Sequence, residues 1–548
     1  MTARSLTARA ATGLAAGCIG AGTILVLITV ARTSITFDEP YFYSYGRRIL
    51  FAGTFERPDP IDYSKLPVSA LNALPEWVFA RTRFKETGAG VLLQRWFDVR
   101  EAAYITEHLA LYAGRLVTVG FYTALCCLVF AWGCEIYGPS AALAATALFA
   151  FLPTALGHAG LVTADAAATC AIFAAVYAVA RSLLAPSLGA TLVAGLALGL
   201  AQLVKYTAVE LAPIAVVMLL IRTATADRSA SRWQTLRSGG MSLTAAALVA
   251  VAVVNLGFAF QGTGVRIVDL PCHSRACQSL RALLGNLPIP LPYEYLNGLD
   301  LVIFLDESGI GGGNIYLLGE INRDGFWSYY VVATLLKTPL AFLALLVFRP
   351  WRRQRLYYDF VLLTPVLWFF VHLSFFFRTQ LGLRFFLPAF PFLALLAAGN
   401  WDSGRRPPLR LTASAILGLY VATMLLQCPR YLSYFNVLIG PRLNAYRYLA
   451  DSNLDWGQDL FALWGWERAH RSQRYALEPY FPTEGLIVVR ANDFIGINDP
   501  DAYAWLRKRA APIAAIGDSY LVFDVPETAR DEMRSPPTGS GNQAQAGH

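Results

Sequence analysis

Runs of about 15 to 21 residues with few or no charges recur along the chain, separated by polar stretches. A helix needs roughly 20 apolar residues to cross a hydrocarbon layer near 30 Å thick. The runs that meet or approach that length are 11–31, 116–134, 139–158, 165–180, 183–204, 207–221, 241–260, 328–348, 358–377, 385–399 and 411–427. The pattern therefore predicts an α-helical polytopic membrane protein with about 11 transmembrane helices.

The polar remainder is unevenly distributed. Two long loops, at about 32–115 and 261–327, contrast with short connections elsewhere, and long ordered loops tend to carry function. In the first loop, "YSKLPVSALNALPEWVFA" and "WFDVREAAYITEHLALYAGRL" read as short amphipathic helices along the interface. Residues 1–428 form the multi-span domain. Residues 429–525 read as a small extracytoplasmic α/β domain, with "GLIVVRAN" and "SYLVFDV" as strands and "LDWGQDLFALWGWERA" and "DAYAWLRKRA" as helices. The tail 526–548, rich in Pro, Gly, Ser and Gln, is expected to be disordered.

Composition agrees with this class. The 548 residues are 56% hydrophobic and 15% charged, too apolar for an ordinary soluble globule. The net charge of +8 is accounted for by positive-inside bias. Arg4 and Arg9; Arg222, Arg228, Arg232 and Arg237; Arg349, Arg352, Arg353 and Arg355; and Arg405, Arg406 and Arg410 all fall on one side if every run spans. That places the N-terminus in the cytoplasm and the C-terminus outside. No basic stripe interleaved with stacking aromatics speaks for nucleic acid. The first run is long and lacks a clear small-residue cleavage site, so it reads as a retained anchor rather than a signal peptide. Most cysteines sit in spans, where packing accounts for them. Cys272 and Cys277, in "PCHSRACQ", lie in an outer loop where an oxidising compartment allows a disulfide, with His273 leaving a metal as the alternative.

Candidate chemistry gathers at the outer bilayer edge. "ITFDEPYFYS" sets Asp38 and Glu39 just after the first run. Asp before Pro40 is a natural helix start, but one acid suffices for a cap, and a pair there can act as general base or hold a metal or cation. Asp165 in "HAGLVTADAAATC" follows His158, and again a cap competes with a functional role. Lys205 lies near Glu210, so an ion pair between helix ends competes with a ligand contact. Lys337 sits deep in its run, beside Pro339, where a charge is costly. Arg378 and Arg384 flank a short outer turn, and arginine's paired donors suit phosphate. The glycines of Gly309–Asn314 do not follow a strand and open a helix, so no soluble nucleotide donor has an evident site.

These pieces together resemble a known family. "FDEPYFYS", "GRLVTV", "HAGLVTAD", "GLALGLAQLVKYTA", "YLLGEINRDGFWSYYVVATLLKTPL", "GLRFFLPAFPFL" and "DSNLDWGQDL" are similar, in order, to motifs of the phospholipid-carrier-dependent glycosyltransferases of the GT-C fold, related to glycosyltransferase family 39. That family groups protein mannosyltransferases with aminoarabinose transferases, and "DSNLDWGQDL" resembles a signature of a bacterial branch. The resemblance implies inverting transfer of a sugar from a polyprenyl-phosphate carrier to a glycan, lipid or protein acceptor on the outer face of the bacterial plasma membrane. It implies Asp38 as catalytic base with Glu39 beside it, Asp165 as the second acid, and Lys205, Lys337 and Arg384 at the carrier phosphate. Arg378, Asp455 and Trp456 join the substrate-binding candidates, and a divalent metal at the acids stays open. The eukaryotic enzymes' inserted luminal repeats are missing, which puts a Ser/Thr protein acceptor in question. A transporter or flippase for a lipid-linked or polar substrate is the alternative of another class. It would show repeat symmetry and midplane charges, and the two halves are not alike.

Overall fold

The computed structural model describes residues 8–58, 60–81, 93–226, 231–351, 355–402 and 404–526. Arg4, Arg228, Arg352, Arg353 and the tail from 527 onward lie outside the described residues. Among those described, eight helices are long and apolar enough to cross a membrane: Ala8–Arg32, Leu109–Tyr137, Asp165–Leu184, Tyr206–Ala224, Arg232–Gly257, Leu356–Phe375, Leu383–Trp401 and Pro407–Gln427. The chain is a multi-pass, predominantly helical membrane protein.

The remaining three apolar runs are helical but interrupted or short. Tyr329–Lys337 and Leu340–Val347 meet at an angle of 112°, and counting them as one crossing gives nine. Pro339 explains the bend, because it lacks an N–H and disfavours helical geometry at Thr338, whose backbone is extended. Run 139–158 divides into Pro139–Ala150 and Pro153–His158, with the second proline again starting a new helix. Run 183–204 yields only Leu188–Gln202, begun by Ser187, whose hydroxyl caps the Ala190 amide.

Burial ranks the helices. In the most apolar window of Leu383–Trp401, 89% of residues are buried, and in that of Asp165–Leu184, 72%, against 17% for Pro407–Gln427. The two inner helices carry Arg384 and Asp165 at one shared end, which is what brings these side chains together.

The first long loop is folded onto the bundle. Ser69–Arg81 docks on Leu109–Tyr137, with the Asn72 amide donating to Gly114 O and Thr118. Val99–Glu107 opens with a reciprocal capping box between Asp98 and Glu101. The next helix starts at Leu109, seven residues ahead of the uncharged run at 116, because Arg115 is buried inside the helix. In the second loop Cys272 and Cys277 are disulfide-bonded. The His273 ring lies against Phe304 while its backbone N–H donates to Asp300.

After Gln427 the chain builds a module around a four-stranded sheet. The strand order is Tyr475–Leu477, Gly485–Arg490, Tyr520–Val525, Ala514–Ile516; the first pair is parallel and the others antiparallel. Leu463, Val488, Ile516 and Val522 bury its inner face beneath the helix Leu460–Ala469.

Candidate functional site

Four charged side chains converge at the shared end of the inner helices. Arg384 Nη1 donates to Asp38 Oδ2 at 2.8 Å and lies 3.9 Å from Asp165 Oδ2. Lys205 Nζ donates to Asp165 Oδ1 at 2.7 Å. A chain of opposite charges, Asp38, Arg384, Asp165 and Lys205, thus joins four segments far apart in sequence. Lys205 pairs with Asp165 and not with Glu210, which instead lies 3.6 Å from His372.

Exposure distinguishes the members. The Asp38 side chain is 36% exposed and that of Lys205 18%, whereas Arg384 is 8% and Asp165 5% exposed. The two partly open groups are the ones a ligand can reach. Lys205 has three donors and spends one on Asp165. Its ammonium also sits 4.5 Å from the centre of the Phe385 ring. Arg384 is held flat between Trp456, 4.2 Å from the ring centre, and Phe385, with Nε donating to Leu381 O.

Asp38 is not spent on starting its helix. The carboxylate makes no cap bond; the Asp38 carbonyl accepts from the Tyr41 and Phe42 amides. The plain capping role therefore belongs to its backbone, and the side chain is left for Arg384. Glu39 has the opposite character. It is fully buried, and its carboxylate accepts from Arg115 Nε at 2.8 Å and Nη2 at 2.6 Å, from the Thr36 amide and hydroxyl, and from the Val162 amide. With five donors on two oxygens it has no capacity for a further proton transfer. It joins the Asp38 loop to the loop ahead of Asp165.

Arg115, to which the sequence reading gave no role, completes that joint. Its remaining donors go to Val30 O, Thr33 O, Thr33 Oγ1 and Ser34 O at the end of the first helix. The signal for it was present: a lone arginine inside an otherwise apolar helix must find buried partners.

Of the other sequence candidates, Lys337, Arg378 and Asp455 do not gather at this cluster. Lys337 is buried, and its ammonium donates to Leu432 O and Asn453 O, bracing two backbone segments. Arg378 is half exposed on the turn before Arg384, near Asp324 at 3.6 Å and Glu307 O. Asp455 is buried and accepts from Arg490 and the Gly457 and Asn492 amides, which fixes "DSNLDWGQDL" to the four-stranded sheet. Trp456 does reach the cluster, through its ring on Arg384 and a ring contact with the buried His158.

The same motif supports the acid loop from outside. The Phe37 amide donates to Trp456 O, the Ser34 amide to Gln458 O, and Ser34 Oγ to Gly457 O. Gly382 admits Ser452 against the turn before Arg384: its φ is +107, and a Cβ there would collide with Ser452 Oγ.

A divalent metal does not suit this donor set. Among the described residues no three His, Cys, Asp or Glu side chains converge in a metal-holding group. The space between Asp38 and Asp165 is taken by the Arg384 guanidinium, a fixed cation where a metal ion would sit.

Residues 102–254 match the family model for dolichyl-phosphate-mannose-protein mannosyltransferases. Among solved structures the chain is similar to ArnT from Cupriavidus metallidurans bound to undecaprenyl phosphate, at 14% identity over 80% of this chain and 68% of that one, TM-score 0.46. It is also similar to the archaeal oligosaccharyltransferase AglB from Archaeoglobus fulgidus in complex with an inhibitory peptide and a dolichol-phosphate, at 14% identity over 78% of this chain and 57% of that one, TM-score 0.43. No curated protein sequence matches.

Proposed function

We propose that the protein is an inverting glycosyltransferase that moves a sugar from a polyprenyl-phosphate carrier to an acceptor on the outer face of a bacterial plasma membrane. The observation that carries this reading is the partly open Asp38 carboxylate joined through Arg384 and Asp165 to the partly open Lys205 ammonium, at the ends of membrane-spanning helices. The family-model match over residues 102–254, which includes Arg115, Asp165 and Lys205, supports it.

In the transfer, Asp38 accepts the proton of the acceptor nucleophile as its oxygen or nitrogen bonds to the anomeric carbon. The bond from that carbon to the carrier phosphate breaks, and its electron pair leaves on the phosphate. Lys205, with donors still to offer, stabilises the charge that develops there, and Arg384 keeps Asp38 oriented. Asp165 holds both cations in place. Glu39 and Arg115 are positioning residues that fix the Asp38 loop. Charged groups at the membrane edge suit a donor whose head is polar and whose tail stays in lipid. The working face is outside, as the disulfide Cys272–Cys277 favours.

The test is turnover of the purified full chain in lipid vesicles with polyprenyl-phosphate sugars. Release of carrier phosphate matched to glycosylation of an acceptor is expected. Movement of intact lipid-linked sugar across the bilayer without phosphate release would instead identify a flippase.

A further inference from the structure

A second feature lies beside the Asp38 loop. Phe37, Pro40 and Tyr41, but not Asp38 itself, line a cavity of about 540 Å³ together with Tyr104, Glu107 and His108. The floor reaches Ala110 and Leu111, the first turn of the span Leu109–Tyr137, so the cavity sits where membrane meets water.

The walls combine two chemistries. Phe37 and Tyr41 are 50% and 41% exposed, large aromatic surfaces open to solvent. Cations from other segments steady both rings: Arg490 lies 4.4 Å from the Phe37 ring centre, and Lys65 5.8 Å from that of Tyr41. On the opposite wall the His108 ring packs on Tyr104 with centroids 4.5 Å apart, and His108 Nδ1 lies 2.9 Å from Tyr104 O. The Glu107 carboxylate has no hydrogen-bond or ion-pair partner among the described residues, although it stands beside these fixed groups.

Rigid aromatic rings facing an unpaired carboxylate suit a ligand with C–H faces and hydroxyl edges. A lipid tail would leave Glu107 unused, and a phosphate would meet a like charge there. We propose that this cavity is a sugar-binding acceptor subsite: a ring of an acceptor glycan stacks on Tyr41 and Phe37, and its hydroxyls donate to Glu107. The assignment rests on the transferase reading and deepens it, since it makes the acceptor a carbohydrate. The stacked ring is then an anchor beside the Asp38 loop, while Lys205 serves the carrier phosphate.

Saturation-transfer NMR of the full chain in lipid nanodiscs tests this, with methyl glucoside, methyl mannoside and methyl N-acetylglucosaminide as probes. Wild type is expected to transfer saturation to the ring C–H protons of at least one probe. Tyr41→Ala should weaken that probe's binding about tenfold, a loss of roughly 1.4 kcal/mol, and Glu107→Gln, at an exposed position that leaves the fold intact, should weaken it as well. Added undecaprenyl phosphate should leave the signal in place. No signal from any probe, equal signals from wild type and both variants, or displacement by undecaprenyl phosphate would each overturn the assignment. Absence of carrier-phosphate release by wild type would defeat the transferase reading alone, because probe binding is read without donor.

Discussion

Two charge clusters at helix ends differ in one respect that matters. The cluster of Asp38, Arg384, Asp165 and Lys205 leaves Asp38 36% and Lys205 18% exposed. The other cluster pairs Arg349 with Asp359 at 2.5 Å and Arg355 with Asp402 at 3.0 Å; its acids are 1% and 4% exposed, although Arg355 is 25% exposed. Asn400 and Arg405 close around it, Asn400 through Leu345 O and Ala397 O, Arg405 through Phe348 O. Charge at helix ends is thus common to both, and it is the accessibility of the acid, Asp38 against Asp359 and Asp402, that separates a site from a brace. The same contrast recurs within one dipeptide: Asp38 is open with one cation, while Glu39 is sealed under five donors.

The comparison breaks most sharply where a sealed pair loses one partner. Arg115→Ala leaves the buried Glu39 carboxyl without its cation, with an expected loss of about 3–5 kcal/mol of stability. Thermal unfolding in detergent should show it, and unchanged unfolding would mean that the Glu39 site is wetter than its geometry. Replacing both members of the other sealed pair, as Arg349→Met with Asp359→Leu, should be nearly neutral for stability and leave turnover unchanged, because two desolvated charges are removed together. A large fall in turnover from that double variant would erase the distinction between brace and site.

At the open cluster a smaller, kinetic signature is expected. Lys205→Gln removes a charge-assisted donor to the carrier phosphate, so KM for the lipid-linked donor should rise about tenfold. A change confined to stability would put Lys205 among the braces.

The smallest effect concerns the C-terminal module. Burial pushes the Asp459 carboxyl up to about 8, with the nearby Asp518 and Asp455 carboxylates adding to the rise. A carboxyl that binds its proton more tightly in the folded state stabilises the fold below the ordinary value near 4, and that contribution is lost as pH rises toward 8. The unfolding midpoint should therefore fall between about pH 4 and 8 in wild type. Asp459→Asn should flatten that slope, and an unaltered slope would show that another group titrates.

Much of this arrangement was legible in the sequence because membrane helices obey a coarse rule: every apolar run became helix. What the runs did not reveal was interruption, since Pro153 and Pro339 sit inside apolar stretches that hydropathy treats as continuous. At the site, Asp38, Asp165, Lys205 and Arg384 could be named because charges at helix ends are rare enough to notice. Their pairing could not, because it depends on which helices lie innermost. Glu39 and Lys337 were named for their unusual positions, yet their partners are buried groups up to 123 residues away, Val162 for Glu39 and Asn453 for Lys337. Arg115 was missed because its role exists only once Glu39 and the carbonyls of Val30, Thr33 and Ser34 surround it.

The central claim is that the open carboxylate, and not the sealed one beside it, takes the acceptor proton. Asp38→Asn keeps size and polarity but cannot accept that proton, and in vesicles with a polyprenyl-phosphate sugar and acceptor it should slow carrier-phosphate release about 100- to 10,000-fold, with unfolding close to wild type. Release at the wild-type rate by a folded Asp38→Asn protein would contradict the account.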